Sequence, residues 1–167
     1  MTPQDNEIVL RPTHLTELPF ILTAERHPEN SPYIGQWSQG QHQRMMTHAD
    51  AAHLIAIYND RPVGYVILTG LESPHQAINL QRIVVTEKGQ GYGRQILRWV
   101  KAFAFNQLDC HCLWLDVIAS NQRAKSLYKS EGFVLEGILR DRWKTADGYE
   151  PMLMMSLLEA EFRAESP

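Results

Sequence analysis

The sequence predicts a mixed α/β sheet of about seven strands with about four helices on its faces. Three observations carry that prediction. Short β-branched and aromatic runs give way to segments of helical period and back again. Their order is strand, two helices, three strands, helix, strand, helix, two strands. Glycine and proline punctuate these segments without forming a linker, a low-complexity tract or an internal repeat. A chain of 167 residues, 44% hydrophobic and 21% charged, is expected to form one domain over residues 1–167 and to build its core without disulfide or metal staples.

Residues 8–10, stopped by Pro12, make the first strand, and Thr13 can cap a helix over about 15–25. Residues 27–36 are a loop. Pro28, Asn30, Ser31, Pro32 and Gly35 are turn formers, whereas Tyr33, Ile34 and Trp37 are larger apolar groups than a solvated loop needs. A helix follows within 39–52. The period then changes: 53–58 and 62–71 are strands joined as a hairpin at Asn59-Asp60-Arg61, and a third run covers 77–86. Between 92 and 107, Ile96, Val100, Phe103 and Ala104 recur at helical spacing, with Arg94, Arg98 and Lys101 on the polar side. A strand over 112–117 leads to a helix over about 121–130, closed by Gly132 in the position after the helix end. Two last strands, roughly 133–144 and 150–158, meet at Asp147-Gly148, a hairpin dipeptide.

Composition narrows the function. The 16 basic and 19 acidic side chains give a formal net charge of −3 and are scattered, so the basic footprint of a nucleic-acid binder is missing. No run approaches the roughly 20 apolar residues that span a bilayer, and the start, MTPQDNEIVLRPTH, has neither a charged n-region nor an apolar h-region. A cytoplasmic protein with no membrane and no nucleic-acid partner is expected. Cys110 and Cys112 flank His111, a spacing that suits neither a disulfide nor a closed zinc site, and the other histidines show no ligand spacing. Free thiols in a reducing compartment, and no metal, are expected.

Lys88-Gly89-Gln90-Gly91-Tyr92-Gly93-Arg94 lies between a strand ending in Ile83-Val84-Val85 and the most regular helix. Missing side chains let a ligand approach the backbone there, and the unpaired N–H groups and dipole of a helix start favour an anion such as a pyrophosphate. Lys88 and Arg94 add positive charge. The competing interpretation is a tight turn that needs glycine for positive φ and binds nothing. A Rossmann site fits poorly, because the spacing is GxGxG and the cluster follows the fourth strand; a P-loop lacks its Gly-Lys-Ser/Thr ending.

Lys88-Gly89-Gln90-Gly91-Tyr92-Gly93 resembles the Gln/Arg-x-x-Gly-x-Gly/Ala acetyl-CoA pyrophosphate loop of the GNAT superfamily of N-acetyltransferases. A second motif is similar to that family's strand, helix and closing strand: Leu113-Trp114-Leu115-Asp116-Val117, then Asn121, Ala124, Leu127-Tyr128 and Gly132-Phe133. Residues 113–133, and the tail from Arg140-Asp141-Arg142-Trp143 to Met154, look closest to the ribosomal-protein alanine N-acetyltransferase branch. The resemblance covers about residues 8–158. Lys88 stands where Gln or Arg is usual, which keeps a cation near the phosphates, and the strand-to-loop connection lacks the common proline.

The resemblance implies a GNAT-like acyl-CoA N-acyltransferase fold whose central strands splay apart around acetyl-CoA. It places the main chain of Ile83, Val84 and Val85 against the pantetheine amides, wraps Lys88, Gly89, Gln90, Gly91, Tyr92, Gly93 and Arg94 around the pyrophosphate, and puts the Asn121 amide on the cofactor. Asn121 and Tyr128, seven apart, share one helix face. The Tyr128 hydroxyl is implied near the sulfur, where a phenol that stays protonated can donate to a departing thiolate. Their alternatives are a helix N-cap for Asn121 and an ordinary half-buried aromatic for Tyr128. The attacking amine must lose a proton, and Asp116 is the candidate base, with Glu72 the alternative and His75 third. Tyr33, Trp37 and Trp143, with Glu72, are candidates for the acceptor side, or satellite core; Trp99 and Trp114 are assigned to core. The expected activity is acetyl transfer from acetyl-CoA, as co-substrate, to a primary amine. The alternative is a non-catalytic acyl-CoA sensor or scaffold. A protein N-terminus, polyamine, amino acid or antibiotic stays open as acceptor, and so does a homodimer.

Overall fold

The computed structural model describes residues 7–165; residues 1–6, scanned above for a leader, lie outside them. Among the described residues there are seven strands: β1 (Val9–Pro12), β2 (Ala51–Tyr58), β3 (Arg61–Thr69), β4 (Ala77–Val85), β5 (Cys112–Ile118), β6 (Val134–Thr145) and β7 (Gly148–Leu158). They form one sheet in the order β1-β2-β3-β4-β5-β7-β6, antiparallel except where β4 meets β5. Five helices accompany it: α1 (Leu18–Arg26), α2 (Gln39–Thr47), α3 (Tyr92–Gln107), α4 (Gln122–Ser130) and α5 (Glu159–Glu165).

The turns follow from their residues. Asn59 and Asp60 both take positive φ, 49° and 59°, which makes the two-residue hairpin whose twist matches the strands it joins. Gly132 at φ 94° ends α4 in the left-handed region, and the Phe133 N–H returns to the Tyr128 carbonyl at 3.0 Å, satisfying a carbonyl the helix end would leave open.

Several expectations are corrected. Pro12 does not stop the first strand: it is paired with Leu54, tolerated because β1 is an edge. Thr13 does not cap a helix. Its hydroxyl meets His53 Nδ1 at 2.8 Å, and the segment Leu15–Glu17 is a 3-10 turn that precedes α1. The helix count rises by α5, which docks through Phe162 stacked on Phe105, centroids 4.7 Å apart. Trp99 packs against the core and stacks on Phe103, but Trp114 is half-buried and outside the core clusters, because alternation on β5 turns Leu113, Leu115 and Val117 inward instead.

Helices cover both faces. The larger core joins Leu54, Val66, Leu68 and Leu80 to Ile96, Leu97 and Val100 of α3; a smaller one joins Tyr65, Ile67 and Val84 to Ile21 and Ala24 of α1. A bulge in β4 sets which residue faces which core. Leu68 pairs with Leu80 but Ile67 with Arg82, so Gln81 is the extra residue and the face of β4 switches there. Ile78 and Leu80 point at α3, while Arg82 and Val84 point at α1.

Candidate active site

β4 and β5 pair for three residues only, Ala77 with Cys112, Ile78 with Leu113 and Asn79 with Trp114. Beyond Asn79, β4 stays bonded to β3, and beyond Trp114, β5 stays bonded to β7. The two strands therefore separate, each with one edge of N–H and C=O groups that no strand satisfies. Such groups need partners when buried, and an extended ligand rich in amides can supply them. One is already taken: the Val85 carbonyl accepts from Asn30 Nδ2 at 3.3 Å and Lys88 Nζ at 3.1 Å.

At the open end the glycine loop leads into α3. Gly89 and Gly91 have φ of 77° and 79°, and Gly91 caps the helix without a side-chain bond, so the first N–H groups of α3 are left for a ligand. Gly89, Gly91, Tyr92, Gly93, Arg94 and Lys88 line the cleft, whereas Gln90 is exposed and outside its lining. The two expected cations have protein partners. Lys88 Nζ donates to Asn30 Oδ1 at 2.6 Å, and burial, then the charge of Arg123, lowers its pKa. Arg94 donates to Ser130 Oγ at 3.0 Å and Glu131 Oε1 at 2.5 Å. Arg123, which sequence reasoning missed, also lines the cleft.

Asn121 fulfils one interpretation and leaves room for the other. Its Oδ1 accepts from the Ala124 N–H at 3.3 Å as the N-cap of α4, and its amide nitrogen remains available on a residue that lines the cleft. Tyr128, two turns on, is 7% exposed and packs on Phe133. Burial, and then the nearby Asp116 charge, raises its pKa, and its hydroxyl bonds to no described residue. Asp116 is exposed by area, yet burial raises its pKa. The structure thus brings Tyr128, Asp116, Asn121, the β4 backbone at 83–85 and the loop into one cleft.

On the acceptor side Tyr33, Trp37 and Trp143 line the same cleft. Glu72 does not. It is exposed in the turn after β3, its N–H bonded to Asp50 Oδ1 at 2.7 Å, at the end where β4 and β5 are still paired. His75, in the same turn, is exposed as well. Sequence reasoning also missed Arg82, Arg142 and Gly35 in the lining. Arg82 had a signal: it takes an inward turn in the buried series Ile78, Leu80, Arg82, Val84, where a charge is out of place. Among the described residues no cluster of His, Cys, Asp and Glu could hold a metal ion, and no helix is long and apolar enough to cross a membrane.

Residues 16–133 match the family model described as acetyltransferase (GNAT) family. A spermidine N(1)-acetyltransferase of Vibrio cholerae serotype O1 is 28% identical over 101 residues, which span 60% of this chain and 58% of that relative. The spermidine N(1)-acetyltransferase of Escherichia coli K12 is 20% identical over 98% of this chain and 92% of its own length. Among solved structures, the Vibrio cholerae spermidine N-acetyltransferase in complex with CoA and spermine superposes with a TM-score of 0.85 at 19% identity, covering 94% of this chain and 98% of that one. The ribosomal-protein-S18-alanine N-acetyltransferase from Escherichia coli gives 0.75 at 24% identity over 90% and 93%. At such identity the likeness to the solved structures is one of fold.

Proposed function

The chain belongs to the GNAT acetyltransferase family, and from that premise we propose that it moves an acetyl group from acetyl-CoA directly to a primary amine. The observation that supports this best is the split between β4 and β5, into which a glycine loop, Asp116, Asn121 and Tyr128 all open. The free edge at 83–85 binds the extended pantetheine, the loop and the start of α3 take the pyrophosphate, and Asn121 adds an amide donor. Bound there, acetyl-CoA supplies an activated thioester. Asp116 takes a proton from the ammonium, directly or through one water, because only the neutral amine has a lone pair to attack with. The new C–N bond forms, the nitrogen gives up its second proton to water, the C–S bond breaks, and Tyr128 protonates the departing thiolate. Asp116 then returns its proton to solvent and Tyr128 recovers one from it.

The test combines two measurements: the melting temperature with and without acetyl-CoA, and free-thiol release across an amine panel. A raised melting temperature is expected, because a ligand of the folded state stabilises it by mass action, together with thiol release dependent on at least one amine. Stabilisation without thiol release would favour a sensor or scaffold; no stabilisation would remove the cofactor site.

A further inference from the structure

Behind the acceptor wall lies a buried polar cluster. Glu25 of α1 is 0% exposed. Its Oε1 accepts from the Tyr65 hydroxyl at 2.5 Å and from Arg82 Nη1 at 2.6 Å, and its Oε2 from the Trp37 N–H at 3.3 Å. His42 Nε2 approaches Oε1 at 2.8 Å without the alignment of a hydrogen bond, and His42 Nδ1 meets His53 Nε2 at 3.0 Å. Burial alone would raise the Glu25 pKa; the close approach of His42, the bond from Tyr65 and the charges of His42 and Arg82 outweigh it and hold the carboxyl low. A desolvated carboxylate with this many partners is a fixed anchor.

Arg82 is the charged member of this cluster that lines the cleft, beside Trp37. Its side chain is 92% buried by area (8% exposed), and its guanidinium carbon lies 4.0 Å over the Trp37 ring. Nη2 bonds to no described residue. Gly35 lies beside it: a Cβ there would come within 3.3 Å of Nη2, although the backbone at Gly35 is not in the left-handed region and does not demand glycine. The missing side chain keeps Nη2 open. A guanidinium fixed through Nη1 by Glu25 and held on one face by an indole, with Nη2 unbonded to any described residue, is a rigid group suited to an oxyanion.

The charges around it agree. Among the described carboxylates that line the cleft, Glu87 is paired with Arg61 at 2.8 Å, which leaves the exposed Glu29, whose charge is felt by Lys88, and Asp116, the candidate base. An amine carrying further positive charges would meet Arg82 and Arg142, with Glu29 the one described lining carboxylate besides Asp116 that is not ion-paired. We propose that the acceptor is an amine that also carries a carboxylate, gripped by Arg82, with Glu25 as the residue that positions Arg82. This rests on the cleft being the acetyl-transfer site proposed above.

The test uses the full chain saturated with CoA. Calorimetry measures binding of protein amino acids and dipeptides, each against the same amine with the carboxylate removed or amidated, and of spermidine. At least one carboxylate-bearing amine is expected to bind on the order of 10-fold or more tighter than its partner, the scale of a charge-assisted bond. Arg82→Lys, which keeps the charge but loses the fork, and Gly35→Val, which covers Nη2, should each erase that preference while their melting curves show a folded protein. Glu25→Gln should raise KM for the carboxylate acceptor more than for its partner, a ratio that general destabilisation would not move. Equal or better binding of spermidine or the decarboxylated amines, an unchanged preference in both Arg82→Lys and Gly35→Val, or binding of no panel member overturns the proposal. Free-thiol release on the same panel separates it from the transfer reaction. A carboxylate preference in binding with no release keeps this inference and removes the transferase; release with spermidine alone does the reverse.

Discussion

Tyr128 and Asp116 each handle one proton transfer of the proposed reaction, and their surroundings suit them to opposite ends of it. Burial holds the Tyr128 hydroxyl protonated, so Tyr128→Phe removes a donor while its ring still packs on Phe133. Its kcat should fall on the order of 10²-fold, with acetyl-CoA affinity by calorimetry nearly unchanged; a loss under about tenfold would return thiolate protonation to water. Burial raises the Asp116 pKa, so the wild-type rate should fall as pH drops through that raised value and the base protonates. Asp116→Asn should be slowest at low pH and recover partly as pH rises and more amine is already neutral. An equal loss at every pH would remove the base role. Both residues were legible because motif and spacing mark them. The joining of Glu25, His42, Tyr65 and Arg82 around Trp37 was not, since they lie far apart in the chain and only packing of α1, α2, β3 and β4 brings them together.

At the scale of elements, the loop before α3 depends on backbone shape more than on space. A Cβ at Gly91 would meet nothing within 4 Å, but φ there is 79°. Gly91→Val must therefore leave the left-handed region or hold it at about 1–2 kcal/mol, and either way the N–H groups at the start of α3 lose their aim. A folded Gly91→Val protein should show no rise in melting temperature with acetyl-CoA; a rise equal to wild type would place the pyrophosphate elsewhere. The strands, the two hairpins and α3 could be read from period and turn chemistry. α5 could not, because Glu159–Glu165 offers Phe162 and little else to a periodic apolar face. The β4 bulge was equally hidden: nothing in the apolar run 77–86 announces that Gln81 is unpaired, yet that one residue turns Arg82 toward Glu25.

Across the whole molecule, the buried cluster gives stability a pH dependence. His53 is 4% exposed, and burial followed by the charge of His42 lowers its pKa from 6.5 to about 4. Below 6.5 the unfolded chain takes up a proton that the folded chain refuses, so stability falls as pH drops from there to about 4. The full loss from this group is about 3 kcal/mol. Denaturant titrations at pH 7 and pH 5 should show the decline, and His53→Gln should flatten it; an undiminished slope in that variant would assign the decline to other groups. The junction of three residue pairs between β4 and β5 has a further consequence. The sheet consists of two covers, β1–β4 and β5–β7–β6, joined along a short spine, and a ligand that bonds both inner edges acts as an inserted strand. Amide hydrogens along those edges, at 80–85 and 115–118, should therefore exchange slowly with deuterium only when acetyl-CoA is bound, while those of β2, whose two edges are already paired, keep their rate.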